Sequence, residues 1–282
     1  MKLDRAELEA HPLPPVRNDD KESKGSILVI AGSRQVPGAA VLSAAAAMRA
    51  GAGKLRIATV ESVALPLALH MPEAMVVGLP EDDDGSFAAA AIDSIAEQVE
   101  EADAIVAGPG VKENQASSKI AEALIATEAA LALDVAFLKA LKPPPDDRKI
   151  PPVLLPDADE LASLLDCEPQ DVERDPVGCG LKAAERYRSV VLVKGPPSHV
   201  VCPDGKVWSH QGGVPGLGVS GSGDVLAGIV GGLLARGAEP LNALLWAVWL
   251  HAEAGAALSK KVGPIGFLAR EIAGEIPALL PR

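Results

Sequence analysis

From Lys24 onward the chain alternates between short apolar runs, glycine-bearing turns and Ala/Leu-rich stretches with helical spacing. Apolar runs at 26–31, 55–60, 75–78, 104–107, 130–134, 153–155 and 190–194 predict strands. Most of them lack period-two alternation. A strand that is apolar on both faces belongs between two helical layers, so the pattern predicts an α/β protein: a three-layer α/β/α sandwich on a mostly parallel central sheet. A turn at 32–37 leads into a helix through Arg49, which Gly51 terminates because glycine accepts the left-handed conformation at a helix end. Residues 198–209 differ: two β-rich runs flank Pro203, Asp204 and Gly205, the pattern of a hairpin. Beyond them the chain is glycine-rich, then helical to its end. Polar segments at 81–86 and 142–149 read as surface loops, residues 1–23 as an N-terminal extension, and 24–282 as a single domain.

Composition narrows the class. With 48% hydrophobic and 23% charged residues in 282, the chain can bury a substantial core, which its 2% of aromatics leaves to Ala, Val, Leu and Ile. A net charge of -12 and a pI near 4.9 exclude nucleic acid and acidic membrane surfaces as expected partners. A small molecule is the better partner, and a phosphorylated one would need helix N-termini, a metal or a few Lys and Arg against the repulsive field. Cys167, Cys179 and Cys202 form no CxxC or Cys/His cluster, and the polar N-terminus lacks the apolar core of a signal peptide. The most apolar stretches carry Arg49, or His251 with Glu253, so neither reads as a membrane span; a cytoplasmic location is expected.

The informative stretch is 212–232, GGVPGLGVSGSGDVLAGIVGG, where glycines crowd ahead of an apolar helical run and Asp224 sits at the junction. Such a loop can aim backbone amides and the positive end of a helix at one point, holding a phosphate or developing oxyanion. An ionised Asp224 there could take the proton of a substrate hydroxyl as that oxygen attacks phosphorus, while Gly221, Ser222 and Gly223 form the anion hole. The plainer reading is that Asp224 caps the helix and the glycines serve a tight turn. Small residues at Ala227, Gly228, Gly231 and Gly232 indicate a helix pressed closely against a sheet.

Taken in order, GSILVIAGSRQVPGAAVLSAAAAMRAGAGKLRIATV, HMPEAMVVGLP, IVAGPG, GSGDVLAGIVGGLLARG and WLHAEAGAALSKKVGPIGFLAREI resemble the ADP/ATP-dependent NAD(P)H-hydrate dehydratases of the ribokinase-like superfamily. The resemblance runs from about Gly25 to the C-terminus. It implies repair of NADH and NADPH damaged by hydration of the nicotinamide ring. ADP, or ATP, phosphorylates the hydroxyl of the hydrate with magnesium assisting; phosphate then leaves and the ring double bond returns. It further implies Asp224 as catalytic base, and Lys194, Gly195, Pro196, Pro197 and Ser198 (KGPPS) with Gly223 against the nucleotide. Ala40, Gly110, Asp157 and Asp224 would meet the hydrated dinucleotide, and a homo-oligomer, often a tetramer, is implied. Without the resemblance, Lys194 reads sooner as a strand-end lysine paired with a surface carboxylate than as a phosphate contact, and His251 sooner as a core or interface histidine than as a catalytic one.

The chain departs from the family pattern at three places. Where TPHxGE is common it reads LPDADE, with Asp157 in place of the histidine, Asp159 in place of the glycine, and Glu160 retained. Val214 and Pro215 follow Gly213 where GNxG is usual, and LALDVAF replaces a DA(G/D)AL-like run while keeping Asp134. These changes touch the substrate side more than the nucleotide side. A small-molecule kinase of the hydroxymethylpyrimidine or hydroxyethylthiazole type, and a catalytically silent nucleotide-binding homologue, are the competing readings.

Overall fold

The computed structural model describes residues 1–15, 24–139 and 141–281. Strands β1 (Ser26–Ile30), β2 (Lys54–Val60), β3 (Ala74–Leu79), β4 (Ala104–Ala107), β5 (Ala130–Leu133), β6 (Val153–Leu154), β7 (Val190–Val193), β8 (Ser198–Val201) and β9 (Val207–His210) form one sheet. Its order is β3-β2-β1-β4-β5-β6-β7-β8-β9, parallel through β7 and antiparallel across the last two pairs. All seven expected parallel strands are present, and the hairpin turns where expected, with Gly205 at φ +83°.

The helices are α1 (Arg5–Glu9), α2 (Gly38–Arg49), α3 (Glu61–His70), α4 (Ala91–Val99), α5 (Gln115–Ile125), α6 (Ala158–Leu165), α7 (Pro169–Arg174), α8 (Pro176–Arg186), α9 (Ser222–Ala235), α10 (Pro240–Lys261) and α11 (Ala269–Leu279). Successive β1 residues point to opposite faces and both faces are covered. Ile27 and Val29 pack in a core with α2, α9, α10 and α11, while Leu28 and Ile30 pack in another with α5, α6 and α8. This double burial is why the strands are apolar throughout. Gly51, at φ +105°, follows the end of α2 as its sequence position requires.

Helix α9 is packed more tightly than its sequence suggested, and against two neighbours. A Cβ on Gly231 would fall 2.1 Å from Val106 of the sheet, whereas Cβ atoms on Gly228 and Gly232 would fall 2.2 Å and 2.3 Å from the carbonyls of Ser43 and Ala47. The glycines therefore seat α9 on α2 as well as on the sheet. Helix α10 is long and apolar enough to cross a membrane by length and composition alone, but here it is largely buried, packing against α9 and α11.

Residues 1–15 of the expected N-terminal extension pack onto the domain. Leu3, Leu8 and Leu13 enter the core, Leu3 N–H donates to the Ser209 carbonyl at 2.9 Å, and Trp246 Nε1–H donates to the His11 carbonyl at 2.7 Å. The remainder of that segment, 16–23, lies outside the described residues.

Strand order reverses between β1 and β4. In open α/β sheets the crevice beyond the carboxyl ends of the strands at such a switch point is where ligands bind. The turns that leave β1 and β4 there are 32–37 and 108–110.

Candidate active site

The site begins at the first turn of α9. Its N-cap is Gly221, at φ +87°, where a Cβ would lie 2.4 Å from Leu42 Cδ1; only glycine closes this turn onto α2. Asp224 is the third residue of the helix and makes no capping bond, so the plain capping reading does not hold. Among the described residues its carboxylate has no hydrogen-bond partner, while its carbonyl accepts from Ser43 Oγ at 2.8 Å. Helix geometry leaves the first amides of α9 without acceptors, and the Gly223 and Asp224 amides have none among the described residues. Gly223 has nothing within 4 Å of where a Cβ would stand, so this turn opens on space. One member of the expected amide trio is otherwise engaged: Ser222 N–H donates to the Val219 carbonyl at 3.1 Å, because the turn closes on itself there. Ser222 can bring only its hydroxyl.

Charge converges on the same place from the strand ends. Asp134, 2% exposed at the end of β5, accepts from Lys194 Nζ at 3.0 Å, and Lys194 follows β7. The lysine is thus paired, but with a buried carboxylate inside the site rather than a surface one. Burial opposes the ammonium of Lys194, yet Asp134 outweighs it and holds the lysine above its ordinary range. Burial pushes the Asp224 carboxyl up to about 6, with the Asp134 charge adding to the rise and Lys194 opposing it. Burial likewise lifts Glu160 to about 7; a hydrogen bond from the Asp157 amide opposes that, Asp134 reinforces it, and Lys194 opposes. Asp224 and Glu160 are thus two partly buried carboxyls with raised pKa values that both sense the charges of Asp134 and Lys194, the kind of group that can exchange protons near neutral pH.

Gly108 makes this clustering possible. At φ +130° it lies so close to the end of β5 that a Cβ would overlap the Asp134 carbonyl, 1.8 Å away. Gly110, at φ +67°, would meet Ala39 and the Val36 carbonyl, and Gly32 N–H donates to the Pro109 carbonyl at 2.8 Å. The turns bearing Ala40 and Gly110 therefore touch. Ala40 itself is fully buried in the first turn of α2, so its side chain forms wall rather than contact.

Residues 194–198 bridge β7 to β8, and Ser198 Oγ donates to the Gly195 carbonyl at 2.8 Å, tightening that loop. Asp157 is the N-cap of α6: it accepts from Glu160 N–H at 2.8 Å, while Glu160 Oε2 accepts from Asp157 N–H at 2.8 Å. Asp157 and Glu160 thus form a capping box that holds Glu160 beside Asp134 and Lys194. The sequence read His251 as a core or interface histidine and did not place it by the site; its Nε2 lies 3.1 Å from both Ser222 Oγ and the Ser222 carbonyl. Sequence reasoning passed over Arg34, which ties the turn after β1 to the 81–86 loop through Glu81 at 2.6 Å.

Known proteins are similar to this chain over nearly its whole length. A family model described as NAD(P)H-hydrate dehydratase matches residues 27–278. An ADP-dependent (S)-NAD(P)H-hydrate dehydratase of Xanthomonas campestris pv. campestris is 46% identical over 280 residues, covering 98% of this chain and 95% of the relative. The bifunctional NAD(P)H-hydrate repair enzyme of Escherichia coli K12 is 31% identical, and the match covers 95% of this chain but only 50% of that longer protein. Among solved structures, the ADP/ATP-dependent NAD(P)H-hydrate dehydratase of Bacillus subtilis co-crystallised with ATP and Mg2+ superposes with a TM-score of 0.87 at 26% identity, covering 99% of this chain and 96% of the other. A hydroxyethylthiazole kinase of Pyrococcus horikoshii, at 16% identity and a TM-score of 0.60, shares the fold alone.

Proposed function

The chain belongs to the NAD(P)H-hydrate dehydratase family, and on that premise we propose that it restores hydrated NADH and NADPH at the expense of ADP, with ATP as the alternative donor. The observation that carries the reading is the unpartnered Asp224 carboxylate, raised to about 6, on a helix turn whose free amides open on the cleft. Above that pH the carboxylate accepts the proton of the hydrate's hydroxyl as its oxygen attacks the terminal phosphorus of the nucleotide. The amides of Gly221, Gly223 and Asp224 and the positive end of α9 stabilise the charge on the transferred group. Hydroxide is a poor leaving group and phosphate a good one. AMP, or ADP where ATP is the donor, leaves at that transfer; departure of phosphate from the ring, with loss of a proton from the adjacent ring carbon, then restores the double bond.

Lys194, Gly195, Pro196, Pro197 and Ser198, with Gly223, line the nucleotide side in this reading. Gly110, Asp157 and Asp224, with Ala40 as wall, line the side of the hydrate. Among the described residues no group of three or more His, Cys, Asp or Glu side chains gathers to hold a metal. Magnesium needs none, since it commonly keeps several waters and takes one or two carboxylates together with phosphate oxygens. Glu160 and Asp134, carboxylates at the end of the site that Lys194 marks, fit that role. When bound, the ion neutralises charge on the nucleotide phosphates.

Leu65 and Leu69 on α3 and Met75 on β3, exposed at 71%, 78% and 56%, give the sheet edge an apolar face that supports assembly into a homo-oligomer such as a tetramer. Action in the cytoplasm completes the proposal.

The test is recovery of NADH absorbance from hydrated NADH with ADP and magnesium. Asp224→Asn is expected to lose about 10²- to 10⁴-fold in rate. ADP binding without turnover would favour the silent homologue, and phosphorylation of another hydroxylated compound would favour a kinase.

A further inference from the structure

Helix α10 runs behind α9, and His251 reaches from it to the first residue of the phosphoryl-binding turn. Its Nε2 stands 3.1 Å from two oxygens of one residue, Ser222 Oγ and the Ser222 carbonyl. The carbonyl can only accept. A proton on Nδ1 would leave the lone pair of Nε2 facing that oxygen, whereas a proton on Nε2 serves both contacts. A hydroxyl that meets an N–H through its lone pair must turn its own proton elsewhere. Because the Ser222 amide is spent on the Val219 carbonyl, that hydroxyl proton is the donor Ser222 has left to offer.

We propose that His251 is a positioning residue for phosphoryl transfer: as the Nε2–H tautomer it clamps both oxygens of Ser222, fixes the start of α9, and leaves the Ser222 hydroxyl proton for a phosphoryl oxygen. This rests on the proposed dehydratase reading. It adds a residue that touches neither nucleotide nor hydrate, and it replaces the occupied Ser222 amide with a side-chain donor. Burial pushes the His251 imidazole down to about 4, which keeps the ring neutral and the tautomer meaningful at ordinary pH.

Two measurements on the full chain test it. Nitrogen-15 NMR of the His251 ring reads which nitrogen carries the proton, whether or not the enzyme turns over; Nε2–H is expected, and Nδ1–H overturns the proposal. In NADH recovery, His251→Leu is expected to lower kcat by about 10²-fold with little change in KM for ADP, since a misplaced donor is felt in the transition state. His251→Gln, whose amide N–H can reach the same oxygens, is expected to regain most of that loss. Ser222→Ala should lose a similar factor, and adding His251→Leu to it should lose little more. Unchanged kcat in His251→Leu, or a loss that Gln does not rescue, overturns the inference. If the unmutated chain fails to restore NADH while Nε2 carries the proton, the dehydratase reading falls and the clamp on Ser222 stands.

Discussion

Lys194 Nζ lies 3.0 Å from Asp134 Oδ1, joining the ends of β7 and β5 across sixty residues of sequence. Asp134 is 2% exposed, so its charge is tolerable only while the lysine stays. Lys194→Met is expected to cost on the order of 3 kcal/mol, because it leaves a buried carboxylate without its counter-charge. Adding Asp134→Leu should return much of that stability and none of the activity. Denaturant unfolding of the single and double variants reads this directly, and equal stability of Lys194→Met and the parent would show that something else neutralises Asp134.

Acidity gives a second prediction. Asp224 must be ionised to act as a base, so kcat/KM for the hydrate should rise with pH through about 6 and then level. Lys194 holds that value down, so the limb should move upward in Lys194→Met. Stability should follow the opposite course. Asp224 and Glu160 titrate at about 6 and about 7 in the folded chain, above their ordinary values of 3.8 and 4.5. The folded state therefore holds more protons than the unfolded one across that window. The stabilisation from these groups is fully present below about pH 4 and is lost as pH climbs through 7. Asp224→Asn should accordingly melt at a higher temperature than the parent at pH 8, gaining up to about 3 kcal/mol of stability, and show no gain at pH 4. A melting temperature that falls at pH 8 would mean that the carboxylate is better satisfied than its surroundings suggest.

The strands were legible because parallel strands buried on both faces write their burial into consecutive residues, as at Leu28–Val29–Ile30. The place of Asp224 in the first turn of a helix was legible because glycines crowd ahead of an apolar helical run there. What joins distant segments was not. Nothing local marks Asp134 as the partner of Lys194, or His251 as the partner of Ser222; both pairings come from the order in which strands and helices stack. The Ser222 amide was misassigned for a related reason, since a run of glycines shows that a turn exists but not which amide it consumes. Residues 1–15 looked like an extension because their three core leucines are five apart, a spacing that fits neither helix nor strand.

Three glycines of the site separate fold from function. A Cβ at Gly108 or Gly221 would meet Asp134 at 1.8 Å or Leu42 at 2.4 Å, and both positions have positive φ, so Gly108→Ala and Gly221→Ala should each lose about 2–3 kcal/mol. Gly223 meets nothing within 4 Å, and alanine is the better helix former. Gly223→Ala should therefore fold at least as well as the parent. If the nucleotide lies against this residue, the added methyl should raise KM for ADP about tenfold or more, a steric loss of 1.4 kcal/mol or above. Calorimetric titration with ADP decides it: undiminished affinity in Gly223→Ala would place the nucleotide elsewhere.

Asp157 departs from the family pattern, and the fold gives its side chain a task of its own. Its carboxylate caps α6 through the Glu160 amide at 2.8 Å, and the reciprocal bond holds Glu160 in the charged cluster. Asparagine caps a helix as well as aspartate does, so Asp157→Asn should change stability by only a few tenths of a kcal/mol, whereas Asp157→Ala should lose about 1 kcal/mol. Loss of the charge should also let Glu160 titrate lower, because Asp157 adds to its rise. A negative group beside a dinucleotide repels its phosphates, so Asp157→Asn should lower KM for hydrated NADH, and the gain should shrink as salt rises. A KM unmoved at low salt would place the dinucleotide phosphates beyond the reach of this helix end and leave Asp157 with capping as its whole task.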